Sequence, residues 1–178
     1  MNASPRYDGM AVTLHWLMAV MLIGLFGLGL VLEDLPKGDL RAQMYGLHKA
    51  VGAVVLALAA LRLAWRLTHP APALPDSMPA SEVTLARLGH LALYGLMLVL
   101  PVSGIIMSQA GDHPVSVFGW VIPTLVQPNH DLKEVFEEVH GFLAWSLAAV
   151  VAGHGLAALR HRFVLKDDVM ARMLPGGN

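Results

Sequence analysis

Cysteine is absent from the chain. With it go disulfides, thiolate metal sites, iron–sulfur clusters and the C-x-x-C-H attachment of a c-type haem. Charge is scarce as well: Asp, Glu, Lys and Arg make up 14% of the 178 residues, and the net charge is -1. So small and balanced a charge raises no basic field of the kind that draws nucleic acid, and no nucleic-acid partner is expected. What is abundant is apolar. Hydrophobic residues reach 56% and the mean hydropathy is +0.58, outside the range of ordinary soluble domains. The lipid bilayer is therefore the first partner implied.

The apolar residues fall in four runs. Met10 to Leu32 carries no charge and is long enough to cross a hydrocarbon core of about 30 Å at about 1.5 Å per residue. It runs straight into Glu33, Asp34 and Leu35 without a small-residue cleavage site, so it is expected to remain in the mature protein. The second span covers about residues 47–67, with Lys49 at one end and Arg62 and Arg66 at the other able to reach the interface. The third covers about 88–108, with Pro101 inside it predicting a kink. The fourth, about 139–159, has no charge. No repeat or second domain is visible, so residues 1–178 read as one membrane domain, a four-transmembrane-helix bundle of all-α class.

Basic residues are unequally shared between the two ends of that bundle. Arg6, Arg62, Arg66, Arg87, Arg160, Arg162, Lys166 and Arg172 lie on one side, and only Lys37, Arg41, Lys49 and Lys133 on the other. The positive-inside rule then predicts that both termini are cytoplasmic in a bacterial inner membrane. The outer segments are acidic, with Glu33, Asp34, Asp39, Asp112, Asp131, Glu134, Glu137 and Glu138. The longest, 109–138, carries Phe118 and Trp120 in a Val115–Pro123 stretch suited to the membrane interface or to a lid over the bundle mouth. The inner linker 68–80 contains Pro70, Pro72, Pro75 and Pro79 and should be extended.

Nine histidines in so apolar a chain are the outstanding feature, because an imidazole in hydrocarbon needs a partner and marks function. His140 and His154 are fourteen residues apart, nearly four helical turns, so both rings return to one face about 21 Å apart along the axis. Two stacked cofactors would require this of a single helix. Partners at matching depth exist on other spans. His154 lies five residues from the inner end of its span and His15 five residues from the inner start of its own, while His140 and His48 each sit second from the outer end. The pattern predicts two b-type haems enclosed by the bundle, one held by His15 and His154 and one by His48 and His140. Gly52, Gly141, Gly153 and Gly155 stand beside these positions, where a flat macrocycle needs close approach, although helix packing in membranes also enriches glycine.

The other histidines have lesser expected roles. His90 competes with His15 for His154, but it enters its span so shallowly that it reads as a hydrogen-bond donor to a haem propionate. Arg62 and Arg66 could pair with propionates too. His161, seven residues after His154 at the cytoplasmic boundary, could hydrogen-bond a quinone carbonyl or sit in water. His69, His113 and His130 fall in loops and should be solvated, and the ten methionines read as core filling.

Leu14-His15-Trp16-Leu17, Gly46-Leu47-His48-Lys49, Arg62-Leu63-Ala64-Trp65-Arg66-Leu67, Gly89-His90-Leu91, Leu100-Pro101-Val102-Ser103-Gly104, Val139-His140-Gly141 and His154 followed by His161-Arg162-Phe163 occur in this order. With their spacing, from about Tyr7 to Pro175, the chain resembles the prokaryotic cytochrome b561 family, and within it the superoxide oxidase branch. The resemblance implies a cytoplasmic haem on His15 and His154 and a periplasmic haem on His48 and His140. It also implies ubiquinone as substrate near the cytoplasmic haem, with His161 at a quinone-contacting position.

The expected function is one-electron transfer across the membrane from periplasmic superoxide to ubiquinone. Lys49, beside His48, is the local positive charge for an anion, and His161 is the proton relay. A quinol-linked cytochrome serving an unidentified periplasmic redox partner or a membrane dehydrogenase is the alternative. A redox-free metal transporter or structural module is the rival of another class, although a divalent-ion path often needs carboxylates within the spans, and there are none.

Overall fold

The computed structural model describes residues 6–75 and 78–175. Its four long helices are α1 (Gly9–Val31), α2 (Asp39–Thr68), α3 (Ala80–Ala110) and α4 (His130–Arg160), and each is long and apolar enough to cross a bilayer. A two-residue antiparallel hairpin, β1 (Ser116–Val117) and β2 (Trp120–Val121), interrupts the α3–α4 connection. The chain is thus a multi-pass membrane protein built as a four-helix bundle.

Helix α1 matches the first apolar run, but the other three begin about eight residues earlier than the apolar spans suggest. Their 30 or 31 residues amount to about 45 Å, some 15 Å more than a hydrocarbon core. Hydrophobicity reports where lipid lies, whereas helix ends are set by caps and breakers, so polar turns at 39–46, 80–87 and 130–138 extend beyond the apolar runs. Two expectations change as a result. His130 is not in a loop but is the first residue of α4, and His90 lies ten residues inside α3 rather than at its mouth. Helix α3 also continues unbroken through Pro101. The linker 69–75 is non-helical, as its prolines require.

Caps mark the starts of α1 and α4. The Asp8 carboxylate accepts the Ala11 N–H at 2.9 Å and also the Trp65 indole N–H at 3.1 Å, which ties α1 to the end of α2. The Asn129 side chain accepts the Leu132 N–H. The hairpin turn uses positive φ at both Phe118 (50°) and Gly119 (87°), the condition of a two-residue turn that follows strand twist.

Each helix packs against its neighbours in sequence. The backbones of α1 and α4 stay farther apart and meet through side chains, as where Phe26 meets Trp145 edge to face at 5.1 Å. The packed core is a thin layer at mid-depth: Met18, Val55, Ala59, Met97 and Leu147. Leu147 lies seven residues from both His140 and His154, on the same face of α4. The core therefore forms a waist between two histidine levels. The chain ends meet at one end of the bundle, where Arg6 donates to the Ala171 and Leu174 carbonyls at 2.9 and 3.1 Å.

Candidate functional site

At the end remote from the termini, α2 and α4 bring His48 and His140 together with ring centroids 6.3 Å apart and planes at 72°. The His140 ring lies flush against α3. A Cβ on Gly104 would come within 2.9 Å of its Cε1, and Nδ1 is 3.0 Å from the Ser103 hydroxyl oxygen. The same hydroxyl donates its single proton to the Leu100 carbonyl at 2.7 Å. With that proton committed, its oxygen is placed to accept from His140 Nδ1–H, the tautomer that leaves Nε2 as the ring's free lone pair. His48 differs: its Nδ1 is buried without a hydrogen-bond partner among the described residues, and a Cβ on Gly29 of α1 would stand 3.5 Å from its Cε1. Lys49 donates to the Pro114 carbonyl at 3.4 Å, at the root of the hairpin.

At the terminal end, α1 and α4 bring His15 and His154 to 6.1 Å between centroids, with planes at 67°. His90 from α3 also converges, at 5.5 Å from His154, because α3 carries it ten residues deep. Arg62 reaches from α2 to lie 3.3 Å from His15 Nδ1, and its other terminal nitrogen donates to the Ala11 carbonyl at 2.9 Å. Next to these rings is a half-open cavity of about 500 Å³, lined by Arg66, Arg87, His90 and Tyr7 and roofed by the 71–75 linker.

His161 opens a π-helical turn, His161–Leu165, that ends at Lys166 with φ 55°. The reversal returns Asp167 onto the ring, with Oδ2 2.6 Å from His161 Nδ1, while Oδ1 accepts the Val169 N–H. His161 is thus half-buried, at 12% side-chain exposure, and hydrogen-bonded to Asp167 rather than free in water. Beyond it the chain crosses the bundle end, with Arg172 donating to the Ala73 carbonyl and Trp16 to the Met173 carbonyl.

Sequence reasoning missed three participants: Ser103, Gly104 and Asp167. The first two stand in a motif quoted above without a role. Asp167 is six residues from its partner, beyond any helical spacing, so only the Lys166 reversal reveals it.

A family profile described as prokaryotic cytochrome b561 matches residues 6–176. The chain belongs to that family. Among its relatives, cytochrome b561 homolog 2 of Escherichia coli (strain K12) is 36% identical, covering 97% of this chain and 93% of that one. Probable superoxide oxidase CybB of Yersinia pestis is 29% identical over 96% of both chains. Cytochrome b562 of Cereibacter sphaeroides is 27% identical over 98% of both. Membership makes this cytochrome b561 a membrane electron-transfer protein, and haem b is the cofactor typical of the family.

The residues fit that cofactor. An imidazole nitrogen binds a metal at about 2 Å, and a ring centroid lies roughly 1.1 Å behind that nitrogen, so two imidazoles on one iron should have centroids about 6.2 Å apart. The two observed spacings, 6.1 and 6.3 Å, flank that value. His48, whose Nδ1 has no hydrogen-bond partner among the described residues, is left free to turn either nitrogen to a metal, and the two arginines lining the terminal-side cavity, Arg66 and Arg87, suit carboxylate side groups.

Proposed function

We propose that this cytochrome b561 holds two b haems, an outer one on His48 and His140 and an inner one on His15 and His154. It would carry single electrons from the periplasmic face to ubiquinone at the cytoplasmic face, with superoxide as donor. The observation that carries the reading is the pair of imidazole couples with matching spacing at opposite ends of one bundle. Haem, when bound, supplies an iron that changes by one electron at a time. The protein's part is to fix ligands, depth and surroundings. The excess of Arg at the terminal end supports a cytoplasmic placement of both termini in the bacterial inner membrane.

The net reaction takes two superoxide anions, ubiquinone and two protons to two dioxygen molecules and ubiquinol. Lys49, beside His48, provides positive charge at the outer mouth. At the inner end His161 hands protons to the quinone through Nε2, since Nδ1 is occupied by Asp167. Arg66, which lines the cavity, would hold a haem propionate, with Arg62 able to turn to the same group, and His90, close to His154, would donate to the same edge. The relative named as a probable superoxide oxidase supports the donor.

A second reading keeps the cofactors and changes the donor to a periplasmic redox partner or membrane dehydrogenase, working with quinol. The acidic outer segments favour it, because Glu33, Asp34, Asp112, Asp131 and Glu134 repel an anion. Pyridine haemochrome assay on the purified protein should give two haems per chain, and His140→Ala should retain one. Stopped-flow mixing with superoxide should reduce the protein faster than dismutation in buffer. A single haem would end the two-haem proposal, and no reduction above background would pass the donor role to the second reading.

A further inference from the structure

We infer that the Ser103-Gly104 step of α3 is the seat that fixes the tautomer and plane of His140, making His140 the rigid axial ligand of the outer haem and His48 the compliant one. The inference rests on the two-haem reading above and adds positioning residues to it. Three contacts carry it. Ser103, 2% exposed, commits its proton to the Leu100 carbonyl at 2.7 Å and offers its oxygen to His140 Nδ1 at 3.0 Å. Gly104 leaves room for the ring alone, since a Cβ there would sit 2.9 Å from Cε1 and 3.2 Å from Nδ1. Across the site, His48 Nδ1 has no partner among the described residues, and a Cβ on Gly29 would meet its Cε1 only at 3.5 Å, ordinary van der Waals contact rather than a clash.

The consequence is electronic as well as geometric. An acceptor on Nδ1–H pushes electron density towards Nε2 and strengthens it as a ligand, favouring the more highly charged iron. His15 shows no such acceptor among the described residues: its Nδ1 lies 3.3 Å from the Arg62 guanidinium, a donor only, and that contact must open before Nε2 can carry the lone pair. The two haems would therefore differ in potential for a reason built into α3.

The test uses full-length protein purified with its haems, by redox titration followed optically and by low-spin ferric EPR, which responds to the angle between imidazole planes. Ser103→Ala should raise the reduced-to-oxidised ratio of the outer haem three- to tenfold at fixed potential, up to about 59 mV for one electron, and leave the inner haem unmoved. Gly104→Ala should displace the ring and change the outer EPR signal or lose that haem. Gly95→Ala, on the same helix with nothing within 4 Å, should change neither. Selective change or loss at the outer haem supports the seat. An unchanged outer haem in both variants, or equal loss of both haems, overturns it. His140→Ala separates the two layers of reasoning: if it keeps both haems, the ligation itself is wrong, whatever Ser103 does.

Discussion

Leu147→Ala probes the waist between the two histidine levels. Leu147 is 6% exposed and packs with Met18, Val55, Ala59 and Met97. In a water-soluble core such a truncation costs about 2.7–5.0 kcal/mol, part of it the lost transfer from water. In a bilayer that part vanishes, because the unfolded reference leaves leucine in lipid as apolar as the core. The cavity contribution remains: roughly 75 Å³ of removed side chain at about 24 cal/mol per Å³ gives about 2 kcal/mol. Reversible unfolding in mixed micelles, followed by far-UV circular dichroism, would measure it, and haem content would be read on the same samples. Both haems should stay at full occupancy, since Leu147 lies seven residues, about 10 Å, from either α4 histidine. A loss under about 0.5 kcal/mol, or selective loss of one haem, would refute the picture of a packed layer separating two independent sites.

Two further outcomes follow from the terminal end. Asp8→Ala should cost about 1 kcal/mol as a lost helix cap, while Asp8→Asn should cost little. The Ala11 N–H, with help from the Trp65 indole, holds the Asp8 carboxyl below its ordinary 3.8. Its contribution is thus complete above that value and lost as pH falls through the lower folded value, so acid unfolding should lose this component in Asp8→Asn. Asp167→Asn should lower quinone reduction by fivefold or more in kcat with little change in KM, because a charge-assisted bond of 2.6 Å orients His161. Equal rates at all pH values would remove Asp167 from the relay.

Much of the fold was legible because lipid imposes a simple rule: about 20 apolar residues per crossing. Four runs gave four helices. The same rule made depth readable, so His15 could be matched with His154, and His48 with His140, by counting from span ends. Helix ends were not readable in this way. The polar turn 130–138 belongs to α4 because Asn129 caps it, and nothing apolar marks that start. His90 likewise sits ten residues along α3, because the helix begins at Ala80 and not at the first apolar residue.

The sequence by itself determined the number of spans, the common side of the termini and the levels of the histidines, since each depends only on counting along a regular helix. Tertiary structure alone decided which rings face one another, at what angle, and which neighbours steer them. Ser103 reaches His140 across 37 positions, and Asp167 reaches His161 only through a reversed turn. Such contacts depend on how helices rotate about their axes and on where the chain turns back, and neither is written in a hydropathy pattern.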